Sequence, residues 1–221
     1  MPESLRTSTL ATAYYNLMQR YVLPHLPAWG LTPNRLTWMG MLVAITVPLG
    51  FWVHPMWGFI LILISGTADS LDGLMARHEN RSSMWGAFLD SSLDRVSDFF
   101  YLLGFWVLLS QHASPARAGL AVFICLLLTM LISYTKARAG ELGCNCPVGL
   151  MERGLRVTYL MVWALVLILL PAPRSIILWL GLSLYGALCL ATVVQRVVYV
   201  RNQIRDRKDR CTDDDRQGHG I

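Results

Sequence analysis

Six long apolar stretches, separated by short polar segments, constrain the fold of this chain more than any other feature of its sequence. A helix that crosses a bilayer needs about 20 mostly apolar residues, and each stretch is close to that length. The composition agrees, since 54% of the 221 residues are hydrophobic and only 15% are charged. We therefore predict an all-α integral membrane protein with six transmembrane helices. The predicted spans are residues 34–53, 56–77, 85–110, 116–138, 152–171 and 175–199.

The segments that flank the spans predict an N-terminal arm and a charged tail. Leu10, Tyr14, Leu17 and Tyr21 recur at helical spacing, which favours a juxtamembrane amphipathic helix on the membrane surface. A first turn packed on the helical bundle fits the same pattern equally well. The tail is highly charged and is expected to lack regular structure. The predicted divisions are an interfacial arm over residues 1–30, a six-helix domain over residues 31–200, and a cytoplasmic tail over residues 201–221.

The positive charges predict how the chain is inserted. Of the 19 Lys and Arg residues, only Arg117 and Arg174 fall in the loops after the third and fifth spans. The others fall in the termini, in the loops after the second and fourth spans, or at the adjoining helix ends. Cytoplasmic loops carry the excess of Lys and Arg, so both termini are predicted to face the cytoplasm from the inner (cytoplasmic) membrane. The pI of 9.1 follows from this bias, and no nucleic-acid partner is expected.

A polar stretch between the second and third spans, DSLDGLMARHENRSSMWGAFLDSSLD, carries four aspartates beside apolar helices. Asp69 and Asp72 are three residues apart, and Asp90 and Asp94 are four apart, so each pair shares one helix face. The short turn HENRSS makes the two helices antiparallel neighbours. All four carboxylates are therefore predicted to converge at the cytoplasmic end of this hairpin.

Such an acidic cluster is unfavourable without a cation. One charge at membrane depth costs about 2.5–3.5 kcal/mol on insertion scales, and like charges packed together repel one another. A hard divalent cation, Mg²⁺ or Mn²⁺, would neutralise the carboxylates. Mg²⁺ commonly completes its shell with water and substrate phosphate, so the cluster predicts a phosphate-bearing ligand.

Small residues and an arginine beside the acids favour the same ligand class. Gly73 and Gly86 let a bulky group approach the backbone, Ala76 is small, and Arg77 has a fork of donors suited to phosphate. Helix–helix packing through small residues is the alternative, and for the glycines alone it is the simpler explanation. Beside four convergent aspartates, we favour a ligand site.

The complete pattern resembles the signature of the CDP-alcohol phosphatidyltransferases. It reads Asp69-x-x-Asp72-Gly73-x-x-Ala76-Arg77, eight residues, then Gly86-x-x-x-Asp90-x-x-x-Asp94. GLTPNRLT before the first span is similar to the family's usual start of helix 1. Members transfer a phosphoryl-containing group from a CDP-linked donor to an alcohol and release CMP. The resemblance therefore implies a divalent-metal-dependent transferase of phospholipid synthesis, with CDP-diacylglycerol as its donor and a homodimer as its assembly.

The resemblance also implies a role for each residue of the signature. The implied metal ligands are Asp69, Asp72, Asp90 and Asp94. Asp94 is also the implied general base, which would accept the proton of the attacking hydroxyl. The residues implied to contact the CDP group are Gly73, Ala76, Arg77 and Gly86.

Four basic residues around the connection between the fourth and fifth spans bear on the acceptor alcohol. They are Lys136, Arg138, Arg153 and Arg156. They are predicted to face the same entrance as the aspartates and to bind a phosphate on the alcohol. Anchoring of helix ends at the membrane surface explains the charges equally well.

A resemblance within the family favours a particular acceptor. SYTKARAGELG followed by VGLMERGLR is similar to the branch that makes phosphatidylinositol phosphate or its archaeal ether-lipid counterpart. Inositol phosphate is therefore the expected acceptor. Glycerol 3-phosphate, which would give phosphatidylglycerol phosphate, is the alternative.

An ion or solute transporter is the alternative from another functional class, because intramembrane carboxylates also mark ion pathways. A transporter usually places its acids near the bilayer midplane and often has repeated halves. Here the acids cluster at one predicted interface, beside an arginine suited to phosphate, and no repeat is evident. The sequence therefore favours the enzyme.

Overall fold

The computed structural model describes residues 16–26, 30–78, 83–170 and 173–218, with side chains described as far as residue 207. Within these ranges the chain is helical apart from short connections, and no strand occurs. This confirms the all-α prediction. The long helices are α1 (Pro33–Val53), α2 (Pro55–His78), α3 (Met84–Ser110), α4 (Pro115–Glu141), α5 (Arg153–Leu169) and α6 (Arg174–Gly218).

Several of these helices have the length and composition of membrane spans. Within the part of the chain that the structure describes, four are long and apolar enough to cross a bilayer. They are α1, α2, α4 and the portion of α6 from Arg174 to Arg207. This is the architecture of a multi-pass membrane protein.

Local side-chain caps set where α1 and α3 begin. Thr32 precedes α1, and its hydroxyl accepts a hydrogen bond from the backbone N–H of Arg35 at 3.4 Å. Ser83 caps α3 in the same way, accepting from the N–H of Gly86 at 2.9 Å. Such caps satisfy donors that the first turn of a helix leaves unpaired. The Ser83 cap starts α3 two turns before Asp90 and so fixes the position of that carboxylate along the helix.

Glycines let α1, α2 and α3 pack closely at the end of the bundle opposite the aspartates. The Phe51 ring is 1% exposed and lies against Gly58 of α2 and Gly104 of α3. A Cβ added at Gly104 would lie 2.6 Å from a Phe51 ring carbon and 3.0 Å from a Val47 methyl group. Small residues at such positions are the usual means of close packing between membrane helices. The three helices are therefore in close contact at this end.

Aromatic side chains join α5 and α6 to this unit. The rings of Phe105 and Trp163 are stacked, with centroids 4.0 Å apart and planes 5° from parallel. The Trp163 indole N–H donates a hydrogen bond to the carbonyl of Ile177 in α6 at 3.1 Å. Since a buried indole N–H needs an acceptor, this bond fixes the distance between α5 and α6.

The described part of the N-terminal arm has two different environments. Residues 16–21 are helical, and Leu17 and Tyr21 are exposed. Leu23 and Leu26 are buried in an apolar cluster with residues of α1 and α2. Leu10 and Tyr14 lie outside the described residues, so the surface helix stays a prediction, whereas the end of the arm packs on the bundle.

The last helix continues far beyond the predicted span. We expected the tail from residue 201 to lack regular structure, but α6 runs to Gly218, so that expectation is wrong for residues 201–218. The Gln203 side chain donates a hydrogen bond to the carbonyl of Asn145 at 3.0 Å, and Arg207 donates to that of Leu142 at 3.3 Å. These contacts with the loop after α4 give the charged extension a surface to pack on, which composition alone does not indicate.

Replacing Gly104 with Ala should destabilise the protein, because the new methyl group would press on Phe51 and Val47. Overpacking of this kind costs about 1–3 kcal/mol. Gly140→Ala is the matched control, since a Cβ there would meet nothing within 4 Å and Ala favours a helix over Gly by about 1 kcal/mol. Thermal unfolding in detergent should show a lower midpoint for Gly104→Ala alone. Equal midpoints for the two variants would contradict the close packing.

Candidate active site

Three carboxylates from α2 and α3 meet near the ends of these two helices. Asp69, Asp72 and Asp90 each place one carboxylate oxygen within 4.8 Å of the other two. Asp69 and Asp90 are half-buried, and Asp72 is 5% exposed. Carboxylate oxygens at this spacing are suited to a hard divalent cation. The structure therefore brings together three of the four aspartates that the sequence analysis singled out.

Asp94 lies beside this group and is joined to it through an arginine from another helix. Arg153, the first residue of α5, donates a hydrogen bond from Nη1 to Asp69 Oδ2. The same nitrogen lies 3.0 Å from Asp94 Oδ1. One guanidinium group thus contacts both Asp69 and Asp94. Asp94 is not part of the group formed by Asp69, Asp72 and Asp90.

Two buried carboxylate oxygens in this region have no hydrogen-bond donor among the described residues. They are Asp72 Oδ2 and Asp94 Oδ1. The 3.0 Å contact between Asp94 Oδ1 and Arg153 is an ion pair that lacks hydrogen-bond geometry. Burying a charged oxygen without a partner is costly. Both oxygens are therefore suited to a further positive or proton-donating group, and Asp72 fits the role of a metal ligand.

The ion pairs of the described side chains leave the site acidic. Arg153 contacts Asp69 and Asp94, and Arg95 lies 3.5 Å from Asp94. In the part of the chain whose side chains are described, no cation lies within ion-pair distance of Asp72 or Asp90. The group of three aspartates therefore carries more negative charge than its protein neighbours neutralise.

A narrow cleft, too tight in this structure to hold a water molecule, lies between Asp69, Asp94 and the first helix. Four helices contribute to its walls. The lining residues are Thr37, Gly40 and Met41 of α1, Ser65 and Asp69 of α2, Leu93, Asp94 and Ser97 of α3, and Arg153 of α5. The residues of α1 had no predicted role in the site, although Thr37 ends the TPNRLT segment that resembles the family's usual start of helix 1.

The residues expected to contact the CDP group lie on the same hairpin. Arg77 is exposed, and its Nη1 would be 3.5 Å from a Cβ added at Gly73. Ala76, which lies between them in the sequence, is half-buried. A Cβ added at Gly86 would lie 3.3 Å from Asn34 Oδ1 at the start of α1. Asn34 therefore adjoins the glycine end of the site, although sequence reasoning had given it no role.

Each of the four basic residues expected to bind the acceptor has an acidic partner within the protein. The pairs are Lys136–Glu152 at 3.0 Å, Arg138–Glu141, Arg153–Asp69 and Arg156–Asp98 at 2.7 Å. Their exposure differs greatly. The Lys136 and Arg138 side chains are 51% and 57% exposed, whereas that of Arg153 is 20% exposed and faces the cleft.

Arg156 does not face an open surface. It is 2% exposed, its Nη2 donates to Asp98 Oδ2, and its Nη1 donates to the carbonyl of Met151 at 3.0 Å. The expectation that all four cations face one entrance is therefore wrong for Arg156. The physical reason is Asp98, which lies one turn beyond Asp94 on α3 and provides a buried counter-charge.

Sequence reasoning also missed Arg196, which lies inside the last predicted span. It is 1% exposed, its Nε donates to the carbonyl of Val148 at 2.9 Å, and its Nη2 lies 3.4 Å from Glu152 Oε1. Because Glu152 immediately precedes Arg153, these contacts tie α6 to the start of α5. An arginine within an apolar span was the signal that would have drawn attention to it.

Known proteins are similar to this chain in sequence. Residues 30–187 match the family model described as CDP-alcohol phosphatidyltransferase. The chain is 30% identical to an archaetidylinositol phosphate synthase of Methanothermobacter thermautotrophicus, over 86% of this chain and 93% of that protein. It is 34% identical to a phosphatidylinositol phosphate synthase of Streptomyces avermitilis, over 79% of this chain and 74% of that protein.

Solved structures share the fold. The phosphatidylinositol phosphate synthase of Mycobacterium tuberculosis in complex with manganese and citrate matches with a TM-score of 0.68 and 31% identity, over 81% of this chain and 87% of that chain. The same enzyme with CDP-DAG bound matches with a TM-score of 0.67 and 30% identity, over 81% and 91% of the two chains. The resemblance seen in the sequence is therefore confirmed, and this chain belongs to the CDP-alcohol phosphatidyltransferase family.

Proposed function

We propose that this protein transfers a phosphatidyl group from CDP-diacylglycerol to a phosphorylated alcohol, with inositol phosphate as the first candidate, and releases CMP. The observation that carries the proposal is the group of Asp69, Asp72 and Asp90 with Arg153 beside it. The names of the two relatives, both inositol phosphate lipid synthases, support the choice of acceptor. The relatives reported above are synthases, so we set the transporter alternative aside.

Asp69, Asp72 and Asp90 would hold a divalent cation, Mg²⁺ or Mn²⁺. Their oxygens lie within 4.8 Å of one another, and the unpaired buried oxygen of Asp72 fits a ligand role. The related structure that contains manganese supports this assignment. When bound, such a cation supplies positive charge for the diphosphate of the donor.

Asp94 is suited to the role of general base. It lies one helical turn from Asp90, outside the group of three aspartates, and its Oδ1 has no hydrogen-bond donor among the described residues. The acceptor hydroxyl oxygen would form a bond to the β-phosphorus of CDP-diacylglycerol, and its proton would pass to the Asp94 carboxylate. The bond from that phosphorus to the oxygen it shares with the α-phosphate breaks, and CMP leaves with the electron pair.

The donor would lie along the hairpin of α2 and α3. Gly73 and Gly86 leave space beside the backbone, Ala76 adds little bulk, and the exposed Arg77 offers donors to the diphosphate or ribose. The related structure with CDP-DAG bound supports a CDP-lipid donor for this chain.

Arg153 is the best candidate for binding the phosphate of the acceptor. It lines the cleft together with Asp94, so an alcohol whose phosphate contacts Arg153 would place its hydroxyl near the proposed base. Lys136 and Arg138 are exposed and could assist at the outer edge, whereas the buried Arg156 would stabilise α5 through Asp98. Glycerol 3-phosphate carries the same phosphate and is the second candidate.

We infer that all six long helices cross the membrane. α3 has 27 residues, and α5 has 17, which is at the short end of the range for a span. The positive-inside rule places both termini and the active site in the cytoplasm. The inferred divisions are an arm over residues 1–30, a catalytic domain over residues 31–200 and a tail over residues 201–221. Homodimer formation stays a prediction.

Turnover should require the three grouped aspartates and a divalent cation. Asp69→Asn, Asp72→Asn and Asp90→Asn should each lower CMP release from CDP-diacylglycerol by at least about 100-fold, because one charged ligand is lost. Asp206→Asn, on the exposed face of α6, is the matched control and should keep activity. Full turnover of Asp69→Asn in excess chelator would contradict the metal assignment.

Changing Asp94 should separate binding from chemistry. Asp94→Asn removes the group that accepts the proton but keeps the shape of the side chain, so kcat should fall about 100-fold or more. Binding of CDP-diacylglycerol, measured by equilibrium dialysis, should stay close to that of the parent protein. If Asp94→Asn loses donor binding and Mn²⁺ binding together, Asp94 is a metal ligand and another group is the base.

Removing the Arg153 charge should weaken use of the acceptor more than use of the donor. A hydrogen bond to a charged group contributes about 1.5–3 kcal/mol, so Arg153→Gln should raise the KM for inositol phosphate roughly tenfold or more. Arg117→Gln, exposed at the start of α4, is the control. Titrations with inositol phosphate, glycerol 3-phosphate and free inositol would identify the acceptor. Equal use of free inositol by the parent protein would contradict a phosphate site.

A further inference from the structure

A buried chain of hydroxyl groups connects α1, α2 and α3 directly beneath the carboxylates. Ser65 Oγ donates a hydrogen bond to the carbonyl of Gly40 at 2.6 Å, and it lies 2.6 Å from Tyr101 Oη. A serine hydroxyl has a single proton. Since Ser65 uses its proton toward Gly40, the Tyr101 hydroxyl must donate to Ser65. Ser65 and Tyr101 are 1% and 0% exposed, so water does not compete for these bonds.

At the same point the backbone of α1 lies close to that of α2. A Cβ added at Gly40 would lie 3.3 Å from the Ser65 carbonyl oxygen and 3.3 Å from the Ala68 methyl group. It would also lie 3.7 Å from the backbone nitrogen of Asp69. Gly40 therefore packs against the turn of α2 that begins at Ser65 and ends at Asp69.

This turn determines where the Asp69 carboxylate lies. Ser65 precedes Asp69 by four residues, so the two side chains project from the same face of α2. Gly40, Ser65 and Asp69 all line the cleft that also contains Asp94 and Arg153. The hydrogen bond of Ser65 thus holds α2 in place one turn before Asp69, which belongs to the group of three carboxylates.

We propose that the Tyr101 hydroxyl is a positioning group for divalent-cation binding. Through Ser65 it holds α2 against Gly40 of α1 and so sets the distance of the Asp69 carboxylate from Asp72 and Asp90. The proposal rests on the cation site of the proposed function. Among the described hydrogen bonds, the Tyr101 hydroxyl bonds to Ser65 and to no carboxylate, so its effect is transmitted by the backbone of α2.

A similar hydroxyl chain elsewhere in the bundle provides a matched control. Tyr185 Oη lies 2.9 Å from Thr129 Oγ1, which donates to the carbonyl of Cys125 at 2.9 Å. Tyr185 and Thr129 are both 1% exposed, and they join α4 to α6. Loss of either tyrosine hydroxyl removes one buried hydrogen bond, but only Tyr101 is connected to the turn that carries Asp69.

The test measures Mn²⁺ binding to the purified full-length protein in detergent by electron paramagnetic resonance, without substrates. Loss of one hydrogen bond that positions a ligand should weaken binding about two- to tenfold in Tyr101→Phe. Tyr185→Phe should bind Mn²⁺ like the parent protein. Thermal unfolding of both variants measures the loss of stability, which should be similar. Parent-like Mn²⁺ affinity in Tyr101→Phe would overturn the proposal.

Ser65→Ala supplies an independent variant that breaks the same chain. It should weaken Mn²⁺ binding at least as much as Tyr101→Phe, because it also removes the bond to Gly40. Adding Tyr101→Phe to it should cause no further loss, because the tyrosine hydroxyl acts through Ser65. Independent, multiplying effects would overturn the proposal. If the parent protein does not bind Mn²⁺, the cation site itself is wrong. If parent and variants bind Mn²⁺ equally, the cation site stands and the role of Tyr101 is wrong.

Discussion

The contact of Arg153 with Asp69 and Asp94 is the interaction on which the arrangement of the site depends. Carboxylates buried at the ends of two neighbouring helices repel one another and lose hydration. Arg153 reduces that repulsion from a third helix, 84 residues away from Asp69 in the chain. Removing one member of a buried ion pair leaves an uncompensated charge, which is strongly destabilising. The position of α5 is therefore tied to the charges on the hairpin of α2 and α3.

The helices are held together by apolar packing at the end of the bundle opposite these charges. Phe51 fills the space between two glycines of α2 and α3, and the stacked rings of Phe105 and Trp163 hold α5 against α3. Nearer the site, hydrogen bonds between side chains and backbone carbonyls, such as the Ser65 bond to Gly40, occur in addition to close packing. The contacts between helices thus change along the bundle, from apolar packing at one end to polar side chains that line a cleft at the other.

Two arginines one turn apart on α5 differ in their access to the cleft. Arg153 lines the cleft, whereas Arg156 is enclosed with Asp98 and the Met151 carbonyl. The two acidic partners, Asp94 and Asp98, are likewise one turn apart on α3. The first pair lines the cleft, and its Asp94 Oδ1 accepts no hydrogen bond, whereas the second pair is fully enclosed. Both pairs hold α5 against its neighbours, but only the first arginine lines the cleft.

The sequence by itself determined the helical class, the hairpin of α2 and α3 and the convergence of Asp69, Asp72 and Asp90, because residue spacing fixes which side chains share a helix face. It also identified the family, since the signature from Asp69 to Asp94 lies within one hairpin. Tertiary structure decided which cations face the cleft, that Arg196 holds the start of α5, and that the charged extension of α6 stays helical. These outcomes depend on contacts between residues far apart in the chain, such as the 58 residues between Asp98 and Arg156. A charge has the same appearance in the sequence whether packing leaves it facing water or encloses it beside a counter-charge.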